Sequence, residues 1–392
     1  MAGVSPSATA EIFARVAERI ADGVDVVRLS VGEPDFDTPA HILEATKRAL
    51  DEGHTRYTLV AGTLPLRQAI VEQSAALRGV AHEPAEVVVA AGAKHILFNL
   101  AQVLYDPGDR ILIPTPAWVS YSQHAQLCGA QPVMLPTRAA DDFALDPEQL
   151  SRALGGGARA LVLCMPGNPT GAVVDESRLR ELAEVLRGHD CHIVLDEIYA
   201  RLTYDGARQL SLLQVAPDLK QRIVVVDGVS KTYAMTGFRV GWALCNREIA
   251  RALTTVQSQA TTNIASFAQE AARAALQGDQ DCVEIMKARY VQRRDRMLTG
   301  LRTLPGVTCN TPRGAFYVFA DVSGLIGRSD GGRTLCSDIE VTDWLLDVAR
   351  VAVVPGTAFG TPGFVRLSYA VAEERIDEAI VRMRSAIGRL RD

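Results

Sequence analysis

The chain has 392 residues, with 41 Lys and Arg against 46 Asp and Glu, for a formal net charge of −5. No positive excess exists to neutralise phosphates, which argues against a nucleic-acid binder. Hydrophobic residues at 48% and charged ones at 22% exclude a disordered or fibrous chain and allow a sizeable core, with length alone suggesting two to three domains. The N-terminus lacks a charged segment followed by an apolar run, so no signal peptide is expected. Instead, Ile12, Phe13, Val16 and Ile20 share one face of a predicted amphipathic helix. The most apolar stretch, Val87 to Leu104, is interrupted by Lys94, His95 and Asn99, and no membrane span is expected.

Seven short apolar runs follow: Glu86–Ala90, Arg110–Pro114, Gln131–Leu135, Ala160–Met165, His192–Asp196, Ile223–Asp227 and Val240–Leu244. Most are continuous, as in strands covered on both faces. Helical patterns lie between several of them, at Lys94–Leu104 and Asp175–Arg187 for instance, and the alternation predicts a largely parallel α/β sheet. The last third reads differently. A long helix from about Gln280 to Leu304 precedes a strand at Ala315–Asp321, a helix near Val341–Arg350, short strands at Val351–Val354 and Phe364–Ser368, and a helix from Ala372. This predicts a smaller α+β domain joined by the N-terminal segment, with boundaries of 1–45 (N-terminal segment), 46–285 (large domain) and 286–392 (small domain). Gly155–Gly157 and Gly324–Gly332 read as surface loops.

The seven cysteines include no C-x-x-C pair, which suggests reduced, mostly buried thiols in a cytoplasmic protein. His189 and His192 are three apart, but His192 opens a strand, so no metal site is expected there. Chemistry in α/β sheets collects at the carboxyl ends of strands. There the sequence places Asp196 with Glu197 and Tyr199, Lys231 just after a strand, and Asn168 within Gly167–Gly171. Singly, each is more often a cap, a solvated lysine or a turn residue. Together, an amine and a carboxylate at neighbouring strand ends suit a pyridoxal phosphate site, which needs an amine for a Schiff base and an anion for the pyridinium nitrogen.

Ordered motifs over nearly the whole chain, from Pro6-Ser7-Ala8-Thr9 onward, carry a resemblance. They are V-G-E-P-D-F-D-T-P (31–39), R-Y-T-L-V-A-G (56–62), P-A-W-V-S-Y (116–121), G-N-P-T-G (167–171), D-E-I-Y (196–199), S-K-T-Y-A-M-T-G-F-R-V-G (230–241) and V-V-P-G-T-A-F-G with V-R-L-S-Y-A (353–370). On these the chain resembles the class I pyridoxal-phosphate-dependent aminotransferases, in particular the bacterial aspartate aminotransferase branch. The resemblance implies pyridoxal-phosphate transferase fold type I: a large, mostly parallel sheet domain flanked by helices, plus a smaller α+β domain. It implies transfer of an amino group between an L-amino acid, aspartate or glutamate, and a 2-oxo acid, by a homodimer with shared active sites. The same fold and cofactor also serve aromatic, kynurenine and prephenate substrates and β-lyases.

By the same resemblance, Lys231 forms the Schiff base and shuttles the proton, Asp196 pairs with the pyridinium nitrogen, and Asn168 and Tyr199 bond the phenolate oxygen. Trp118 stacks on the ring. Arg239 and the backbone N–H groups of Ala93 and Lys94 hold the phosphate, joined by Tyr57 from the partner subunit. Arg366 clamps the substrate α-carboxylate, which Gly32 lets approach, and Lys94 faces a distal carboxylate. Two departures stand out. Gly228 occupies a position where some members carry a phosphate-binding serine, leaving that task to Arg239, Ser230 or water, and Ala93 stands where the closest branch reads glycine. A nicotinamide dehydrogenase would need a G-x-G-x-x-G turn after an early strand, and none is found.

Overall fold

The computed structural model describes residues 8–391, so Pro6 and Ser7 of the first motif lie outside the described residues. After a short strand β1 (Val27–Arg28), each of the seven apolar runs forms a strand: β2 (Val87–Ala90), β3 (Arg110–Thr115), β4 (Gln131–Pro136), β5 (Ala160–Cys164), β6 (His192–Asp196), β7 (Ile223–Gly228) and β8 (Gly241–Leu244). They make one sheet in the order β2-β8-β7-β6-β5-β3-β4, in which β8 runs antiparallel to both neighbours and every other pairing is parallel. The α/β architecture is the one expected.

The continuous apolar runs have a direct cause. Along β5, β6 and β7, Leu161, Leu195 and Val225 face one core and Val162, Val194 and Val226 the other. Both faces are covered, so alternate residues are all apolar. The helices Leu64–Arg78, Glu176–Arg187 and Ser266–Gln277 cover the first face, and Ala93–Leu104 and Arg247–Ala260 the second. The edge strand β4 is largely exposed.

The C-terminal part adds β9 (Thr308–Cys309), β10 (Tyr317–Asp321), a hairpin of β11 (Ser329–Asp330) and β12 (Arg333–Thr334), then β13 (Val351–Ala352), β14 (Val354–Pro355) and β15 (Phe364–Ser368). An antiparallel sheet β14-β15-β10-β9 packs on the helices Asp281–Leu301 and Glu373–Ile387. β1 pairs in parallel with β13, so the N-terminal segment is tied to this part of the chain.

One expectation is met and two need correction. The first helix forms over Ala8–Ala21 as expected; among its described side chains Ile12 and Val16 are buried, packed with Phe319, Leu346 and Val354, while Phe13 and Ile20 are exposed. The stretch Gly324–Gly332 is not all loop, since it enters the β11–β12 hairpin. Of the cysteines, only Cys191 and Cys245 are buried; four are half-buried and Cys336 is exposed.

Candidate active site

A cavity of about 560 Å³ opens at the carboxyl ends of the parallel strands, closed on its other side by β10, β15 and the segment after β1. Asp196 ends β6, and Lys231 follows β7 by one turn of chain. Asn168 lies in the turn after β5, and Ala93 and Lys94 open the helix that follows β2. Arg366 comes instead from the middle of β15, where it is 3% exposed.

The floor is dry. Asp196 accepts a hydrogen bond from the Tyr121 hydroxyl at 2.7 Å and one from the Ile198 amide at 3.3 Å. Burial pushes its carboxyl up to about 6, against the pull of those donors. The Lys231 ammonium donates to the Gly32 carbonyl at 2.5 Å, and burial pushes it down to about 8, with Glu33 opposing. A lysine brought this close to physiological pH keeps a neutral fraction that can attack a carbonyl. Arg366 donates to Asn168 Oδ1 at 3.0 Å and to the Ser30 carbonyl at 2.9 Å, and its plane lies over the Tyr317 ring at 4.4 Å. Its buried Nε meets no acceptor among the described residues, so one donor of a carboxylate fork is free.

Close packing explains several glycines. A Cβ on Gly32 would stand 2.9 Å from the Tyr317 hydroxyl and 3.8 Å from Arg366 Nη2. Gly92 has φ +90, which glycine adopts without cost, and a Cβ there would meet Arg239 Nη2 at 2.6 Å. At Gly228 a Cβ would meet the Val240 carbonyl oxygen at 2.8 Å, so a serine would not fit this backbone.

Gly32, Ala93, Lys94, Trp118, Asn168, Asp196, Tyr199, Ser230, Lys231, Arg239 and Arg366 all line the one cavity. Tyr57 does not; it is 88% exposed, away from these residues within a single chain. Lys94 rests over the Trp118 ring, 5.2 Å from its centroid, and among the described residues it has no ion pair. Burial and the nearby Arg239 lower its pKa. Tyr121 and Tyr317 received no role from the sequence. Tyr121 stands three residues after Trp118, one helical turn on, a spacing that could have drawn notice. Tyr317 donates to or accepts from the Tyr199 hydroxyl at 2.9 Å, a contact across 118 positions that no local pattern reveals.

The profile of the family described as aminotransferase class I and II matches residues 24–383. An aspartate aminotransferase of Geobacillus stearothermophilus is 42% identical over 98% of this chain and 96% of that protein. The crystal structure of the aspartate aminotransferase from Rhizobium meliloti superposes with a TM-score of 0.96 at 40% identity, covering 99% of this chain and 98% of that one. The Thermus thermophilus aspartate aminotransferase with maleate follows at a TM-score of 0.91 and 39% identity, covering 98% and 97%.

Proposed function

Because the chain belongs to the aminotransferase class I and II family, we propose that it moves amino groups between aspartate or glutamate and a 2-oxo acid, with pyridoxal 5'-phosphate as cofactor. One observation carries this reading: a half-buried amine, Lys231, and a buried carboxylate, Asp196, line the same cavity as a buried arginine suited to a carboxylate, Arg366.

The residues present fit the cofactor. Ser230, Arg239 and the amides of Ala93 and Lys94 suit a phosphate at a helix N-terminus kept open by Gly92. Asp196 suits a protonated ring nitrogen, Asn168 and Tyr199 a phenolate oxygen, and Trp118 a ring face. When bound, the cofactor supplies an electron sink for the pair released at the substrate Cα. Arg366 holds the α-carboxylate and fixes which bond at Cα is broken, while Lys231 Nζ removes the Cα proton. The charge on Asp196 favours a protonated ring throughout.

An exposed lysine at the cavity wall, with an aromatic ring beneath it and no anion paired to it among the described residues, suits a substrate's second carboxylate. The maleate held by the Thermus relative is a dicarboxylate of that kind. The exposed Tyr57 ring suits a homodimer in which it reaches the partner's phosphate site. No helix among the described residues is long and apolar enough to cross a membrane, in keeping with the cytoplasmic setting we assign.

The test is a panel of amino donors with 2-oxoglutarate as acceptor, run on the parent and on Lys94→Ala, which keeps the backbone donor. Aspartate should lose about 1.5–3 kcal/mol in kcat/KM, the range for hydrogen bonds to charged groups, while alanine and phenylalanine change little. An equal loss for every donor would assign Lys94 to the cofactor and remove the acidic-substrate reading.

A further inference from the structure

Behind the cavity floor lies a group of charges that none of the roles above uses. Arg78, at the end of the helix Leu64–Arg78, is 1% exposed and lines no part of the cavity. Its Nε donates to Glu197 Oε2 at 2.6 Å and its Nη2 to Asp227 Oδ2 at 2.7 Å. Ser74 accepts from Nη1 at 3.4 Å, and the Gly228 amide donates to the other Asp227 oxygen at 2.7 Å. Glu197 is the residue after Asp196. Asp227 sits one position beyond Val226, which is the register partner of Asp196 on β7. Three carboxylates thus share a small volume of buried protein with one guanidinium.

Such a cluster is costly to build, because each ion is desolvated and the pairing repays this only with good geometry. Its retention beside the candidate cofactor carboxylate calls for a reason. We propose that Arg78 is a positioning residue which keeps Asp196 ionised, by neutralising Glu197 and Asp227 behind it.

The groups facing Asp196 are few. Tyr121 comes from the helix Ser120–Leu127, Cys164 from β5 and Asp227 from β7, while Glu197 is the next residue and Lys231 faces it from the loop after β7. Asp227 and Glu197 both act to hold the proton on Asp196. Without a compensating cation, two more negative charges in a medium of low dielectric would drive Asp196 to its neutral form. A neutral carboxyl cannot hold a protonated ring nitrogen by charge. Arg78 touches neither cofactor nor substrate in this arrangement and would act entirely through its two partners.

The inference rests on the cofactor reading for its importance, but its charge coupling can be tested without it. Infrared difference titration of the full-length apoprotein reads the Asp196 carboxyl band, with Asp196→Asn identifying it. Removing a negative neighbour, in Glu197→Gln or Asp227→Asn, should lower the pH at which Asp196 takes up its proton by about one unit. Arg78→Met should raise it, and Arg78→Lys, which keeps the charge, should return it towards the parent value. Shifts of opposite sign are not expected of residues that merely hold the fold. In parallel, the Kd for pyridoxal 5'-phosphate, measured by fluorescence, should rise about tenfold in Arg78→Met. Should that variant not fold, the two carboxylate variants still decide the matter: an Asp196 band that titrates at the parent pH in both overturns the proposal. Shifts of the expected sign in a parent protein that binds no pyridoxal 5'-phosphate would support the charge coupling and sink the cofactor reading instead.

Discussion

The two walls of the cavity are built in opposite ways. On the large-sheet side, Asp196, Asn168 and Lys231 stand at or just beyond strand ends, where the chain is leaving the sheet. On the other side Arg366 sits in the middle of β15, bracketed by Phe319 on β10 and Val354 on β14. Strand ends let several groups of different chemistry converge on one spot. A mid-strand position gives a single group with little freedom, which suits a clamp. The first wall is therefore expected to govern chemistry and the second substrate capture.

The sharpest way to break that contrast is Lys231→Ala, which should fold and lose at least about 10²–10⁴-fold in turnover, the range for a general base alone; near-parental transamination would refute the role of the strand-end wall. The same lysine has a stability signature. Its folded pKa, about 8, lies below the ordinary 10.5, so the unfolded chain binds more protons between those values and stability rises with pH there. Urea unfolding of the apoprotein between about pH 7.5 and 9.5 should show this rise, worth roughly 2 kcal/mol over that window, and Lys231→Met should lack it.

Arg366→Gln tests the second wall. It should cost about 2–5 kcal/mol for every amino donor, as for removal of a buried partner in a charge pair, with the loss falling mainly on KM. A fall in kcat alone would blur the division of labour. Tyr121→Phe comes next: it removes the hydroxyl that donates to Asp196 and should weaken pyridoxal 5'-phosphate binding by about 1.5–3 kcal/mol, measurable by equilibrium dialysis. Tyr317→Phe, which loses the hydrogen bond between the walls, should cost only about 1 kcal/mol in kcat/KM. A larger effect would mean that the walls work as one unit.

The same contrast explains what could be read in the sequence. The strands of the large sheet announce themselves because both faces are buried and their residues are apolar without break. Asp196 and Lys231 are legible because each interrupts or follows such a run. Arg366 offers no such sign; its strand is apolar on both sides of it, and only a family motif marks it. Arg78 is less legible still, since its partners lie 119 and 149 positions away and a lysine or arginine ending a helix ordinarily faces water. Phe13 and Ile20 mark the limit of the same reading: periodicity shows that a helix face is apolar, as it is here, and nothing in it shows how much of that face another element will cover.

The pairing of β1 with β13 sets a timetable for the newborn chain. All seven strands of the large sheet have been synthesised once Leu244 has emerged, whereas Val27 and Arg28 find their partners only when Val351 and Ala352 arrive. Closing a loop of that length is entropically unfavourable until those late contacts exist. The wall that carries Lys231 and Asp196 can thus assemble early, and Gly32, which accepts the Lys231 hydrogen bond, docks at the end. A chain released short of Val351 should resist protease across β2–β8 and be cut near Val27. Equal protection of both stretches would show that the N-terminal segment finds its place without its distant partner.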